Sequence, residues 1–254
     1  MIHCKSDEIY KPKFVLIWML LSLKAGYLNA AGLLTTGYFV SHVTGFGTNI
    51  GVSIAHKDYI FGIELLIIPF AFIIGSSIPS WVLDRDYDKN VVPKYHYVQF
   101  LITLGLGLLF YLGINGTFGD FTTSATGSHV IILIGTLCLV CGMKNGLTTW
   151  ATEGKIRTTH LTGLSTDIGL HLPQTLGRKG RSKFDEQKKV NIVRMLTFIS
   201  FSSGSLIAAI MLPTLNFWGF LFPFVTSLVL LTFSYASYLN QMSLKRRRTY
   251  AYGK

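Results

Sequence analysis

His42, Thr44, Gly45, Thr48, Ile50 and Gly51 return 118 residues later as His160, Thr162, Gly163, Thr166, Ile168 and Gly169. The two phrases, HVTGFGTNIG and HLTGLSTDIG, agree at six of ten positions. They offer hydroxyls, the Asn49 amide and the Asp167 carboxylate. That chemistry lines a path or pocket for a small solute or ion. In a helix, residues four apart share a face, so Thr44 stacks on Thr48 and Thr162 on Thr166. Gly47 with Gly51, and Ser165 with Gly169, give the small-x-x-x-small spacing that lets helices approach closely in a membrane. If each Thr-Gly step opens a short helix, its free amides turn a positive dipole end towards whatever sits there. Two readings stand at this point: packing alone, or packing together with a substrate or ion path. A second echo lies upstream, where GYLNA (26–30) and GMKNG (142–146) share Gly-x-x-Asn and place Asn29 and Asn145 beside the doubled phrase.

Ionisable residues interrupt otherwise apolar blocks, and inside a membrane such groups point to function by default. Lys24 and Glu64 are expected to pair or to form a relay, and Asp167 adds a titratable carboxylate to one copy of the phrase only. These three are the candidates for proton coupling. Lys144 and Arg194 are equally explained by snorkelling towards an interface. His42 and His160 are too few to make a metal site, and neither a metal nor a cofactor is expected. Cys138 and Cys141 read as small residues packed between helices, and the odd cysteine count argues against a disulfide framework.

The elements that must position these residues are helices in a bilayer. Half of the residues are apolar, 14% are charged, and the mean hydropathy is +0.44. Residues 97–115 and 217–240 carry no charge over 19 and 24 positions. About 20 residues at ~1.5 Å each cross a ~30 Å hydrocarbon core. Four more blocks, 14–34, 59–83, 129–151 and 192–212, hold one ionisable residue each at Lys24, Glu64, Lys144 and Arg194. The first block is read as a retained span rather than a cleaved signal, since its apolar run is long and Lys24 breaks it. Six spans in one integral membrane domain, 1–254, are expected. Backbone in lipid must satisfy its own hydrogen bonds, which makes the spans helices.

The net charge is +11, which in a soluble chain would suggest nucleic acid. Here 19 of the 23 basic residues fall in segments 1–13, 84–96, 152–158, 174–191 and 241–254. Six crossings with both termini cytoplasmic put all five inside, against Lys57 alone outside, which satisfies the positive-inside rule. No nucleic-acid partner is expected. The partners are the lipid bilayer, with GRKGRSKFDEQKK and KRRR able to touch anionic headgroups, a small solute or ion, and a second copy if the chain oligomerises.

The doubled phrase follows the first span and the fourth, and two spans follow each copy. The chain therefore divides into repeats 1–124 and 125–254. Three spans per repeat is odd, so the second enters from the opposite face, as in inverted-repeat transporters. If the repeated segments crossed fully, the basic loop 84–96 would fall outside. They are expected instead to dip in and return, or to lie buried among the other helices. The fold class is an all-α membrane protein with six transmembrane helices in two three-helix inverted repeats, each with an extra Thr/Gly-rich segment.

NAAGLLTTGYFVSHVTGFGTNIG and GMKNGLTTWATEGKIRTTHLTGLSTDIG resemble the YoaK-type proteins, domain-of-unknown-function family 1275. The positions that fit include Asn29, Gly37, Phe39, Thr44, Gly45, Asn145, Arg157, Thr158, Thr159, Thr162, Gly163, Thr166, Asp167 and Gly169. Phe46 and Lys144 stand where the family pattern has Asn and Gln. The resemblance implies a small multi-pass bacterial membrane protein in the cytoplasmic (inner) membrane, and no substrate. The function expected is a transporter or channel, with a midplane site formed by Thr44, Gly45, Thr48, Asn49 and Asn29 on one side and Thr162, Gly163, Thr166, Asp167 and Asn145 on the other. The alternatives are a structural or regulatory membrane protein and, further off, a membrane enzyme. The sequence has no Ser-His-Asp spacing, no H-E-x-x-H and no nucleotide loop, and no enzyme is expected.

Overall fold

The computed structural model describes residues 10–88, 91–119, 121, 128–154, 156, 158–177 and 182–252, with the side chains of 13, 61, 64, 85–88, 128, 182–186 and 246–252 left aside. The described chain is all helical: α1 (Pro12–Thr36), α2 (Val43–Ala55), α3 (Tyr59–Leu65), α4 (Ile67–Asp88), α5 (Tyr95–Ile114), α6 (Ser128–Thr152), α7 (Leu161–Leu176), α8 (Ser182–Leu215) and α9 (Leu221–Tyr252), with a 3-10 turn at Asn216–Phe220 between the last two. Five helical stretches are long and apolar enough to cross a membrane: Phe14–Thr36, Ile67–Asp84, Tyr95–Ile114, His129–Thr152 and Gln187–Lys245. The last, 59 residues, holds both α8 and α9.

Local chemistry sets the boundaries. Pro12 opens α1, where its missing N–H costs nothing, and Gly37 closes it at φ 76, its N–H donating to the Leu33 carbonyl. The expected span 59–83 is broken at Leu66. Pro69 cannot donate to the Leu65 carbonyl and its ring crowds that position, so α3 stops at Leu65 and α4 starts anew.

The contacts fix the helix directions. α1 and α8 run parallel: Gly26 lies against the Phe201 carbonyl and Gly204 against that of Leu23. A Cβ at either glycine would overlap the carbonyl opposite. α4 and α6 also run parallel, with Gly75 against the Leu139 carbonyl and Gly142 against that of Phe72. Leu23 and Gly26 stand 116 residues before Leu139 and Gly142, and Phe72 and Gly75 stand 129 before Phe201 and Gly204. The two pairings are thus one contact made twice.

α9 runs back along α1, its Ser227 reaching Lys24 and its Leu230 joining Trp18 and Leu21. The Tyr27 hydroxyl donates to the Gly219 carbonyl at 2.7 Å, above that contact. α5 is antiparallel to α9, with Phe224 over Gly107 and Phe217 over Gly113. The start of α5 meets the end of α6 where the Tyr95 ring packs edge-on against Trp150. Hence α1, α5 and α8 point one way and α4, α6 and α9 the other. The starts of α1, α5 and α8 and the ends of α4, α6 and α9 lie at one end of the bundle. The main core runs through α1, α4, α5, α6 and the α8–α9 turn, with Leu28, Leu83, Ile102, Leu106, Leu137 and Phe220 fully enclosed.

Candidate functional site

α2 and α7 carry the doubled phrase, and each is tied to the middle of a long helix. The Asn29 side-chain oxygen Oδ1 accepts from the Ser41 amide at 3.2 Å and from its hydroxyl at 2.8 Å. The Asn145 carbonyl oxygen accepts from the Thr159 hydroxyl. Ser41 precedes α2 by two residues and Thr159 precedes α7 by two. Asn29 is the eighteenth residue of α1 and Asn145 the eighteenth of α6, each seven from its helix end. At ~1.5 Å per residue the chain turns back about 10 Å along the helix it has just left before the short helix begins. With 13 and 16 residues, the short helices are brief for a full crossing.

The short helices are peripheral. α2 buries only Phe46 and Ser53, and α7 only Leu164. α2 packs on α3 and α4, α7 packs on α8, and no extensive packing joins α2 to α7 among the described residues. Thr44, Gly45, Thr48 and Asn49 are exposed in the single chain, as are Thr162 and Thr166, while Gly163 and Asp167 are partly covered. Two of the hydroxyls are used locally: Thr48 donates to the Thr44 carbonyl at 3.4 Å and Thr166 to the Thr162 carbonyl at 3.0 Å. Each repeated segment thus sits at the end of its own tether and packs on its own neighbours. Among the expected site residues, Asn29 and Asn145 are buried.

The charged candidates separate into two places. Asp167 pairs with Arg194 across α7 and α8, Oδ2 to Nη2 at 3.1 Å, and Arg194 also meets His171 Nδ1 at 3.2 Å. Beside them the Asn191 amide donates to the Thr175 hydroxyl at 2.7 Å. The first repeat has Asn49 and Ser53 where the second has Asp167 and His171. The Asp167–Arg194 link therefore belongs to one half only. Lys24 and Lys144 lie in the bundle centre, 0% and 1% exposed. Full enclosure overturns snorkelling for Lys144. Lys24 donates to the Ser227 hydroxyl at 3.3 Å. Glu64, its expected partner, has its side chain outside the described residues, and α3, which carries it, packs on α2 and α4. Arg157 and most of the basic cluster at 178–186 likewise lie outside the described residues.

Ser227 is a hub that spacing in the sequence did not disclose. Gln99 Nε2 donates to its hydroxyl at 2.8 Å and to its carbonyl at 3.2 Å, and the Thr103 hydroxyl lies 3.0 Å away. Lys24 and Gln99 occupy both lone pairs of the Ser227 hydroxyl, so its proton goes to Thr103, whose own proton goes to the Gln99 carbonyl at 2.8 Å. One buried serine thus joins α1, α5 and α9. Another missed link is Asp84, which accepts from Trp150 Nε1 and from the Ser80 hydroxyl, both at 2.6 Å, and so clasps α4 to α6.

Cys138 and Cys141 are buried free thiols. Among the described residues no three His, Cys, Asp or Glu side chains gather as metal ligands. A cleft of about 450 Å3 between α1 and α8 is apolar, lined by Val15, Leu16, Met19, Ile192, Val193 and Leu196 among others. Neither a curated protein nor a solved structure matches the chain. The model of one family, described as protein of unknown function (DUF1275), matches residues 17–233. That match takes in α2 to α8 whole, α1 but for its first five residues and the first 13 of the 32 residues of α9, and the chain belongs to this family.

Proposed function

We propose that the chain is a membrane transporter or channel for a small solute or ion, built from two three-span halves of opposite orientation. The observation that carries this reading is the repetition of one set of contacts in reversed direction. Asn29 with Ser41 is matched by Asn145 with Thr159, and the Gly26–Phe201 approach by Gly142–Phe72. α1 and α6, the first helices of the halves, run antiparallel. A bilayer would then be entered from opposite faces by α2 and α7, and their first turns would lie near its middle, as in inverted-repeat transporters.

The basic end of the bundle faces the cytoplasm in this reading, with both termini, by the positive-inside rule, and the membrane is the cytoplasmic one. Gln187–Lys245 counts as two crossings, because α9 returns along α1. Alternating access would come from rocking the α1–α8 pair against the α4–α6 pair, which share the same glycine-to-carbonyl contact. Thr44, Gly45, Thr48 and Asn49 would line one approach and Thr162, Gly163, Thr166 and Asp167 the other, with Asp167 the candidate for proton coupling. Lys24 and Lys144 support the reading on energetic grounds. A lysine at the centre of a spanning helix costs about 3 kcal/mol on insertion scales, and a core retains two such residues when they serve something besides packing.

A second reading has its own observation. The exposed Gly47, Gly51, Thr44 and Thr48 surface, with the Thr48 hydroxyl already donating within its own helix, suits helix packing against a second copy and a structural role. Purified protein in sealed vesicles distinguishes the two. Uptake of at least one of a panel of inorganic ions, amino acids and carboxylates above protein-free vesicles is expected. A panel-wide rate equal to empty vesicles would leave the structural reading.

A further inference from the structure

We propose, resting on the transport reading, that the centre of the bundle holds a small anion between Lys24 and Lys144, and that the carried solute or its companion ion is therefore anionic. Lys24 stands two residues before Gly26 and Lys144 two residues after Gly142. Gly26 and Gly142 are equivalent in the two halves and α1 and α6 run antiparallel. The reversal brings the two lysines to one depth on helices that pack together, both enclosed in the bundle.

Each lysine sits where the other half is apolar. The position equivalent to Lys24 is Val140, and the one equivalent to Lys144 is Leu28. The packing scheme therefore does not ask for lysine at either place, yet each half supplies one and both lie enclosed in the bundle centre. The pair has donors to spare. An ammonium carries three N–H groups, and Lys24 gives one to Ser227. Lys144 Nζ has no hydrogen-bond partner among the described residues, and neither do the nearby buried donors Asn145 Nδ2 and Thr158 Oγ1. The acceptors at hand are a hydroxyl and a thiol, and no carboxylate of the described residues bonds either lysine. An ammonium buried this deeply is costly without a counter-charge, and a bound anion would let both lysines stay charged.

The depth limits what can supply it. Lys24 is the thirteenth of 25 residues in α1, about 18 Å from either end at ~1.5 Å per residue. A lipid headgroup stays at the surface, so the ligand is a small soluble anion, a carboxylate or an inorganic oxyanion.

Thermal unfolding of the full chain in nanodiscs tests this with sodium nitrate, formate, acetate and phosphate against sodium gluconate at equal ionic strength. At least one small anion should raise Tm in a saturable way, and exchanging sodium for potassium or choline should not. Lys24→Val and Lys144→Leu, which install the residue of the opposite half, should fold and lose the saturable rise. No rise with any of the four anions, or a rise that persists in both variants, would overturn the site. Flux of a cation or neutral solute that both variants retain would remove the anion and leave transport standing. Saturable anion binding without any flux would do the reverse.

Discussion

Asn145 does in α6 what Asn29 does in α1: each turns its buried carbonyl oxygen to a hydroxyl two residues ahead of a Thr/Gly-rich helix. The connection after each long helix is thereby pulled back along it, and the short helix starts at depth instead of at the surface. Asn29→Ala strands the Ser41 amide and hydroxyl, and Asn145→Ala the Thr159 hydroxyl. Leaving buried donors unmet costs about 1–3 kcal/mol. Both variants should unfold at lower denaturant, Asn29→Ala by more, since it loses two bonds. Equal stability of wild type and Asn29→Ala would show that the tether carries no weight.

The four glycines at the crossings should respond as pairs. Alanine at Gly26, Gly204, Gly75 or Gly142 drives a Cβ into a facing carbonyl, and overpacking of this kind costs about 1–3 kcal/mol. Alanine at Gly45 or Gly47 meets open space, and there it should be neutral or slightly stabilising within a helix. Folded yield and unfolding midpoint of the six variants in one detergent check the contrast.

Ser227→Ala removes the acceptor shared by Lys24 and Gln99 and the donor to Thr103. The expected loss is about 2 kcal/mol or more, from two stranded buried donors. Gln99→Leu in the same background should restore part of it by withdrawing one of those donors. The double-mutant cycle measures that coupling directly.

Asp167→Asn separates coupling from stability. The Asp167 side chain is 49% exposed in its pair with Arg194, so the pair contributes no more than about 1 kcal/mol. The unfolding midpoint should barely move. Flux driven by a pH gradient should fall sharply if Asp167 couples transport to protons, and an unchanged rate would take that role from it.

Much of the plan was legible because it is written in spacing. The doubled phrase and Gly-x-x-Asn marked the two short helices and their tethers, and the uncharged runs marked helices long and apolar enough to cross a membrane. What the sequence hid depends on which face of a helix meets which neighbour. The Leu-x-x-Gly of α1 and α6 and the Phe-x-x-Gly of α4 and α8 are short, common patterns whose meaning appears only when the helices cross. Ser227, Gln99 and Thr103 are single polar residues in apolar helices, and nothing in their spacing pairs residues 128 and 124 positions apart. The bond from Lys24 to Ser227 of α9 spans 203 positions and leaves no mark in the spacing either. Thr44 and Thr162 share one phrase, but no spacing tells which long helices their segments dock on, α4 for one and α8 for the other.

Opposite access of the two short helices is the core of the proposal, and thiol labelling reads it out. With Cys4, Cys138 and Cys141 replaced, Thr44→Cys and Thr162→Cys are exposed to a membrane-impermeant maleimide applied to either face of sealed vesicles. Cys at 44 should react from the outer face and Cys at 162 from the cytoplasmic face. Reaction of both from the same face, or of neither from any, would contradict two oppositely oriented halves with water reaching each repeated segment.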